Sequence, residues 1–95
     1  MAIIGFRDER LAAVFRLERP GKGFPANLTR VAHRKLYMLN AAQALADLRH
    51  PPGNRLEALA GDRQGQHSLR VNDQFRICFV RTDGGPTDVE FVDYH

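Results

Sequence analysis

A chain of 95 residues, 43% of them hydrophobic, is expected to form one domain over 1–95, with a core near the smallest that folds unaided; disorder is excluded. Its single cysteine, Cys78, excludes an internal disulfide and a paired-cysteine metal site, which fits a reducing compartment. Net charge is +3 with a pI near 9.6, and no apolar run is long enough for a signal peptide or a membrane span, so the expected place is the cytoplasm.

Ile3, Ile4 and Phe6 suggest a short opening strand. Over residues 8–17, Leu11, Val14 and Phe15 fall at helical spacing, with acids in the first turn where the helix dipole favours them. The Pro- and Gly-rich stretch 19–25 ends that helix. Pro25 suits the first turn of a second helix reaching about residue 40, with an apolar stripe of Leu28, Val31, Ala32, Leu36 and Leu39. Arg30, His33, Arg34 and Tyr37 line another face of it. Asn40 with Gln43 resembles a capping box for a third short helix over 41–48, ended by His50, Pro51, Pro52 and Gly53.

Beyond Gly53 the period changes from 3.6 to 2. Leu56 and Leu59 mark a short strand, residues 61–65 a turn, and 67–71 and 75–81 two strands joined through Asn72, Asp73 and Gln74. A three-residue loop sets Val71 opposite Phe75, Leu69 opposite Ile77 and His67 opposite Phe79, leaving Arg70 with Arg76 and Ser68 with Cys78 on the other face. A two-residue loop would mix the faces. Residues 82–87 form a second hairpin turn and 88–94 the last strand. The order predicts an α+β fold: a short N-terminal strand and two to three helices on one face of a mainly antiparallel four- to five-stranded sheet, the other face open to carry a site.

No phosphate-cradling Gly loop, Gly-x-Ser-x-Gly or metal-spaced His or Cys pair is present, and His33, His50, His67 and His95 are scattered; no metal and no cofactor are expected. Cys78, inside a strand, reads as a small packing residue rather than a nucleophile. Charge is segregated: residues 30–81 carry nine Arg or Lys against four acids, and 82–95 carry four acids and no Arg or Lys. Arginine outnumbers lysine twelve to two, which suits phosphate forks and base stacking but also follows from a GC-rich genome. Arg76 in mid-strand and the terminal Asp93, Tyr94 and His95 supply a guanidinium, carboxylate, phenol and imidazole. These are the groups RNA cleavage needs to deprotonate a 2′-hydroxyl, neutralise a phosphorane and protonate the leaving 5′-oxygen.

Residues 51–79 followed by 88–95 resemble the HigB family, also called the plasmid maintenance system killer family, of the RelE/ParE toxin superfamily. The likeness rests on Asn54, Arg55 and Leu56, on Gly61, Asp62 and Arg63, on Asn72, Gln74 and Arg76, and on the final Asp93, Tyr94 and His95; it extends to Phe6, Arg7 and Asp8. It implies a RelE fold and a type II toxin that cleaves mRNA in the ribosomal A site by 2′-hydroxyl attack without metal. It also implies a HigA-like antitoxin with an Xre-type helix-turn-helix domain, through which alone operator DNA is reached. Arg76 matches the arginine at the scissile phosphate. Asp93, Tyr94 and His95 match the C-terminal site, with proton transfer assigned to His95 or Asp93 and stacking or positioning to Tyr94. Arg63, Arg70 and Arg55 fit an RNA-binding rim.

Two positions depart from the family pattern: Glu57 stands where some relatives have histidine, and Ala60 where a site lysine is common. A missing cation implies a slower enzyme or altered cleavage specificity. Two other readings stay open on sequence. One is a ParE-like gyrase poison, which has no evident use for Arg76 with Asp93, Tyr94 and His95. The other is an inactive binding module that helps its antitoxin at the operator.

Overall fold

Helix α1 (Glu9–Phe15) begins where Asp8, in extended backbone, accepts a hydrogen bond from the Arg10 amide at 3.0 Å, satisfying one of the donors a helix start leaves orphaned. In this computed structural model, which describes residues 1–94, the same carboxyl group also accepts from the Phe91 amide at 3.4 Å, so the cap ties the helix to the sheet. The helix stops at Leu17, whose left-handed φ of 61° lets the Glu18 amide reach the Ala13 carbonyl at 2.8 Å. Leu11, Ala12, Ala13 and Val14 are buried; a helix of seven residues is held by such packing rather than by propensity.

Pro25 precedes a tight 3-10 turn (Ala26–Leu28), and only then does α2 (Thr29–Ala41) begin. Its buried side carries Ala32, Leu36 and Leu39 as expected, and also Lys35. The third helix differs from expectation. Asn40 does not cap it, because its side-chain oxygen accepts from the Ile3 amide at 2.9 Å. Asp47 instead accepts from the amides of Gln43 and Ala44, and the chain winds as a 3-10 turn over Leu45–Arg49.

The second half is an antiparallel sheet in the order β1 (Glu57–Ala58), β2 (Gln66–Arg70), β3 (Phe75–Thr82), β4 (Gly85–Asp93). The β2–β3 register is the expected one: Leu69 opposite Ile77, His67 opposite Phe79, Ser68 opposite Cys78 and Arg70 opposite Arg76. Asn72 fixes it, its side-chain oxygen accepting from the amides of Gln74 at 2.9 Å and Phe75 at 2.7 Å. Between β3 and β4 the register shifts by one residue on β4, where Asp88 takes a left-handed φ of 51°. The opening strand is reduced to one parallel bridge, Phe6 with Val89, and a bond from the Ile4 amide to the Pro86 carbonyl at 2.7 Å. The N-terminal residues press so closely on Gly85 (φ 133°) that a Cβ there would lie 2.1 Å from the Ala2 carbonyl oxygen.

Helices and sheet enclose a core of Leu11, Leu36, Leu39, Leu69, Ile77 and Phe79 with their neighbours, closed at one end by the ring of Phe91 stacked on Phe75 and tilted against Phe24. Among the described residues no helix is long and apolar enough to cross a membrane.

Candidate active site

The antiparallel register places Glu57, Ser68, Cys78 and Glu90 in one row across all four strands on the face turned away from the helices. Arg70, Arg76 and Val92 form the next row. Arg76 is buried within this face, 8% exposed. Its Nη1 donates to the Ser68 hydroxyl and to the Arg55 carbonyl at 3.2 Å, and its Nη2 donates to Glu57 at 3.0 Å. The guanidinium stands over the ring of Tyr94, 5.4 Å from its centroid, within cation–π range. Tyr94 is itself held by its amide, which donates to the Gln74 carbonyl at 2.7 Å, so the loop that sets the β2–β3 register also sets the aromatic wall of the site.

Beside this group Arg63, from the 3-10 turn Gly61–Arg63, donates to Glu90 at 2.7 Å and to Gln66 at 3.0 Å. The bond to Glu90 holds the Arg63 guanidinium charged more firmly than usual. Cys78 lies beneath, fully buried; burial pushes its thiol pKa up, which argues against a nucleophile there. Across the open face two guanidinium–carboxylate pairs thus flank an exposed phenol. The arrangement offers guanidinium groups, a stacking surface and the Tyr94 hydroxyl to a ligand carrying both phosphate and bases. Among the described residues no three His, Cys, Asp or Glu side chains gather to hold a metal ion.

A family model described as HigB-like toxin, the RelE-like toxin of the type II toxin–antitoxin system HigB, matches residues 4–95. The chain belongs to the HigB-like toxins. It is 42% identical over 79 residues to Toxin HigB-1 of Vibrio cholerae serotype O1, covering 83% of each chain. It is also 38% identical over 74 residues to an uncharacterized protein of Haemophilus influenzae, covering 78% of this chain and 73% of that one. The α+β architecture is consistent with the RelE-like fold of this family.

Of the positions the HigB resemblance singles out, the structure brings Arg76 and Tyr94 together and turns Asp93 away. Strand alternation points Asp93 to the side of its partner Phe75, where it accepts from the Gln74 side chain at 3.0 Å. His95 lies outside the described residues. Arg55 is exposed and contributes its carbonyl to Arg76; Arg63 and Arg70 are engaged by Glu90 and Asp73. Ala60, where the resemblance implies a lysine, is exposed at the start of the turn bearing Arg63. Glu57, noted in the sequence only as a departure, is the carboxylate nearest Arg76's role, and Ser68, Glu90 and Gln66 complete the surface. Ser68 was legible as the partner of Cys78. Glu57 was not, since Leu56 and Leu59 locate a strand without saying what it pairs with.

Proposed function

We propose that this HigB-like toxin is a ribosome-dependent mRNA endonuclease, acting in the cytoplasm and restrained by a HigA-like antitoxin with an Xre-type helix-turn-helix domain. The observation that carries the reading is Arg76: a guanidinium fixed in mid-sheet by three partners and covered by the ring of an exposed tyrosine, whose movement uncovers it. A group so fixed stabilises charge developing on a phosphate without reorganising during the reaction.

In this scheme the 2′-hydroxyl loses its proton and its oxygen attacks the neighbouring phosphorus. The phosphorane's charge is met by Arg76, and the P–O5′ bond breaks, leaving a 2′,3′-cyclic phosphate and a protonated 5′-hydroxyl. Tyr94 stacks a base or orients the message, and of the two candidates for proton transfer, His95 or Asp93, His95 is assigned it on its chemistry, since Asp93 faces the other side of β4. Arg55, Arg63 and Arg70 guide the phosphates. With Glu57 beside Arg76 and alanine at position 60, the site carries less positive charge than the family pattern implies, so turnover is expected to be slow.

The test is induced expression in a bacterial host of wild type, Arg76→Ala and a chain lacking His95, with primer extension on a translated message. Cuts that need translation and fall by about a hundredfold or more in Arg76→Ala support the nuclease. Growth arrest without cuts, or toxicity indifferent to Arg76→Ala, rejects it and moves attention to gyrase.

A further inference from the structure

Arg76 donates one of its three hydrogen bonds to a loop rather than to a neighbouring strand, and that loop is anchored to α2. Lys35 on α2 is 5% exposed and its ammonium donates to the side-chain oxygen of Asn54, which is fully buried. The Asn54 amide nitrogen donates in turn to the carbonyls of Leu48 at 3.1 Å and His50 at 3.2 Å. Asn54 thus ties the turns Leu45–Arg49 and Pro52–Asn54 to α2. The next residue, Arg55, takes a left-handed conformation (φ 44°, ψ 56°), and its carbonyl accepts from Arg76 Nη1 at 3.2 Å.

We propose that Lys35 and Asn54 are positioning residues for Arg76, acting through the Arg55 carbonyl to hold the guanidinium in the orientation that cleavage requires. This rests on the endonuclease reading above. A plain structural role explains the network less well. Placing an ammonium in a buried slot costs stability, and methionine fills the same space without that cost. Burial first, and the like charges of Arg34 and Arg70 second, pull the Lys35 pKa down, so electrostatics gives no stabilising reason for a lysine there. What the ammonium supplies is a directional donor to Asn54, and Asn54 has no other donor to its oxygen among the described residues. The remaining two partners of Arg76, Ser68 and Glu57, lie on β2 and β1 and are placed by strand pairing alone. The Arg55 carbonyl lies outside the sheet; its amide donates to the Pro52 carbonyl at 3.1 Å, so its place follows the turn Pro52–Asn54, which Asn54 ties to α2.

The experiment is a double-mutant cycle read by single-turnover cleavage of message on translating ribosomes, with full-length wild type, Lys35→Met, Arg76→Ala and the double variant. Misplacing a reacting group by about 1 Å costs on the order of a hundredfold, and the expected loss for Lys35→Met is about ten- to a hundredfold. Ribosome affinity should hold within about twofold, and Lys35→Met should cause no further loss once Arg76 is alanine, because residues acting through one group are not additive. Equal losses in both backgrounds, or a wild-type rate in Lys35→Met, overturn the proposal. A wild-type chain that makes no cuts overturns it together with the endonuclease reading, whereas cuts with additive losses overturn it alone. If Lys35→Met does not fold, Asn54→Ser takes its place in the cycle. Independently of activity, the Arg76 guanidinium N–H signals in a 15N spectrum should be separately resolved in wild type. They should collapse by rotation in whichever variant folds; unchanged signals there count against the proposal.

Discussion

Burial leaves Nδ1 of His67 without a hydrogen-bond partner among the described residues, with its ring stacked on Phe79, the centroids 6.0 Å apart. Burial first, and the nearby Arg81 second, push its pKa below the ordinary 6.5. A depressed histidine contributes stability that is fully present above about pH 6.5 and is lost as the pH falls toward its folded value, because the unfolded chain takes up the proton first. Thermal melts should therefore drop as the pH falls from 7 toward 5, and His67→Phe, which keeps the stacking and cannot titrate, should flatten that drop. A melt profile unchanged by His67→Phe would show that another group carries the acid sensitivity. Asp8 acts at a different pH. Burial raises its pKa, but the Arg10 guanidinium and the amides of Phe91 and Arg10 outweigh that and hold it below 3.8. Its contribution is lost only as the pH falls through that lower value, so it does not confuse the histidine window.

At the level of elements, the end of α1 is held in a conformation that its residue resists. Leu17 adopts φ 61° with its side chain 79% exposed, so the left-handed backbone is not offset by burial of an apolar group. Leu17→Gly should raise stability by about 1 kcal/mol, read as a higher denaturation midpoint, and Leu17→Ala should not. A loss with glycine would mean that the exposed leucine packs against something other than solvent. Elements defined by local pairing were the ones legible in the sequence. The alternation around Val71 and Phe75 fixed the β2–β3 hairpin residue for residue, and the stripe of Leu28, Ala32, Leu36 and Leu39 located α2. Where a side chain's partner is distant, the sequence is silent. Asn40 looks like a cap until Ile3 claims its oxygen, and the bulge at Asp88 depends on how β4 meets the N-terminal segment. The site divides in the same way. Arg76 and Tyr94 were visible from residue type and resemblance, but Glu57 and the Lys35–Asn54 anchor arise from tertiary contacts without a local pattern.

Over the whole molecule, 31 × 27 × 26 Å, the helices cover one side of the sheet and the candidate site lies on the other. Net charge overstates how much positive charge at the site is available to an anionic ligand. Arg63, Arg70 and Arg76 each sit against a carboxylate (Glu90, Asp73 and Glu57), while Arg55 has no acidic partner among the described residues. Binding of a single-stranded RNA oligonucleotide, followed by anisotropy against salt, should lose about 0.7 from its log–log slope in Arg55→Ala, the amount for one phosphate contact. Arg63→Ala and Arg70→Ala should lose clearly less; equal losses in all three would mean that the carboxylates move aside. The Glu57–Arg76 pair has one more consequence. A tethered carboxylate competes for its partner at an effective concentration of about the millimolar range or above. Small free anions at lower concentration do not displace it, whereas a phosphate on a strand already held by other contacts arrives with an effective concentration of its own. On the endonuclease reading, Glu57 therefore sets a threshold that favours a pre-anchored strand over loose phosphate in solution.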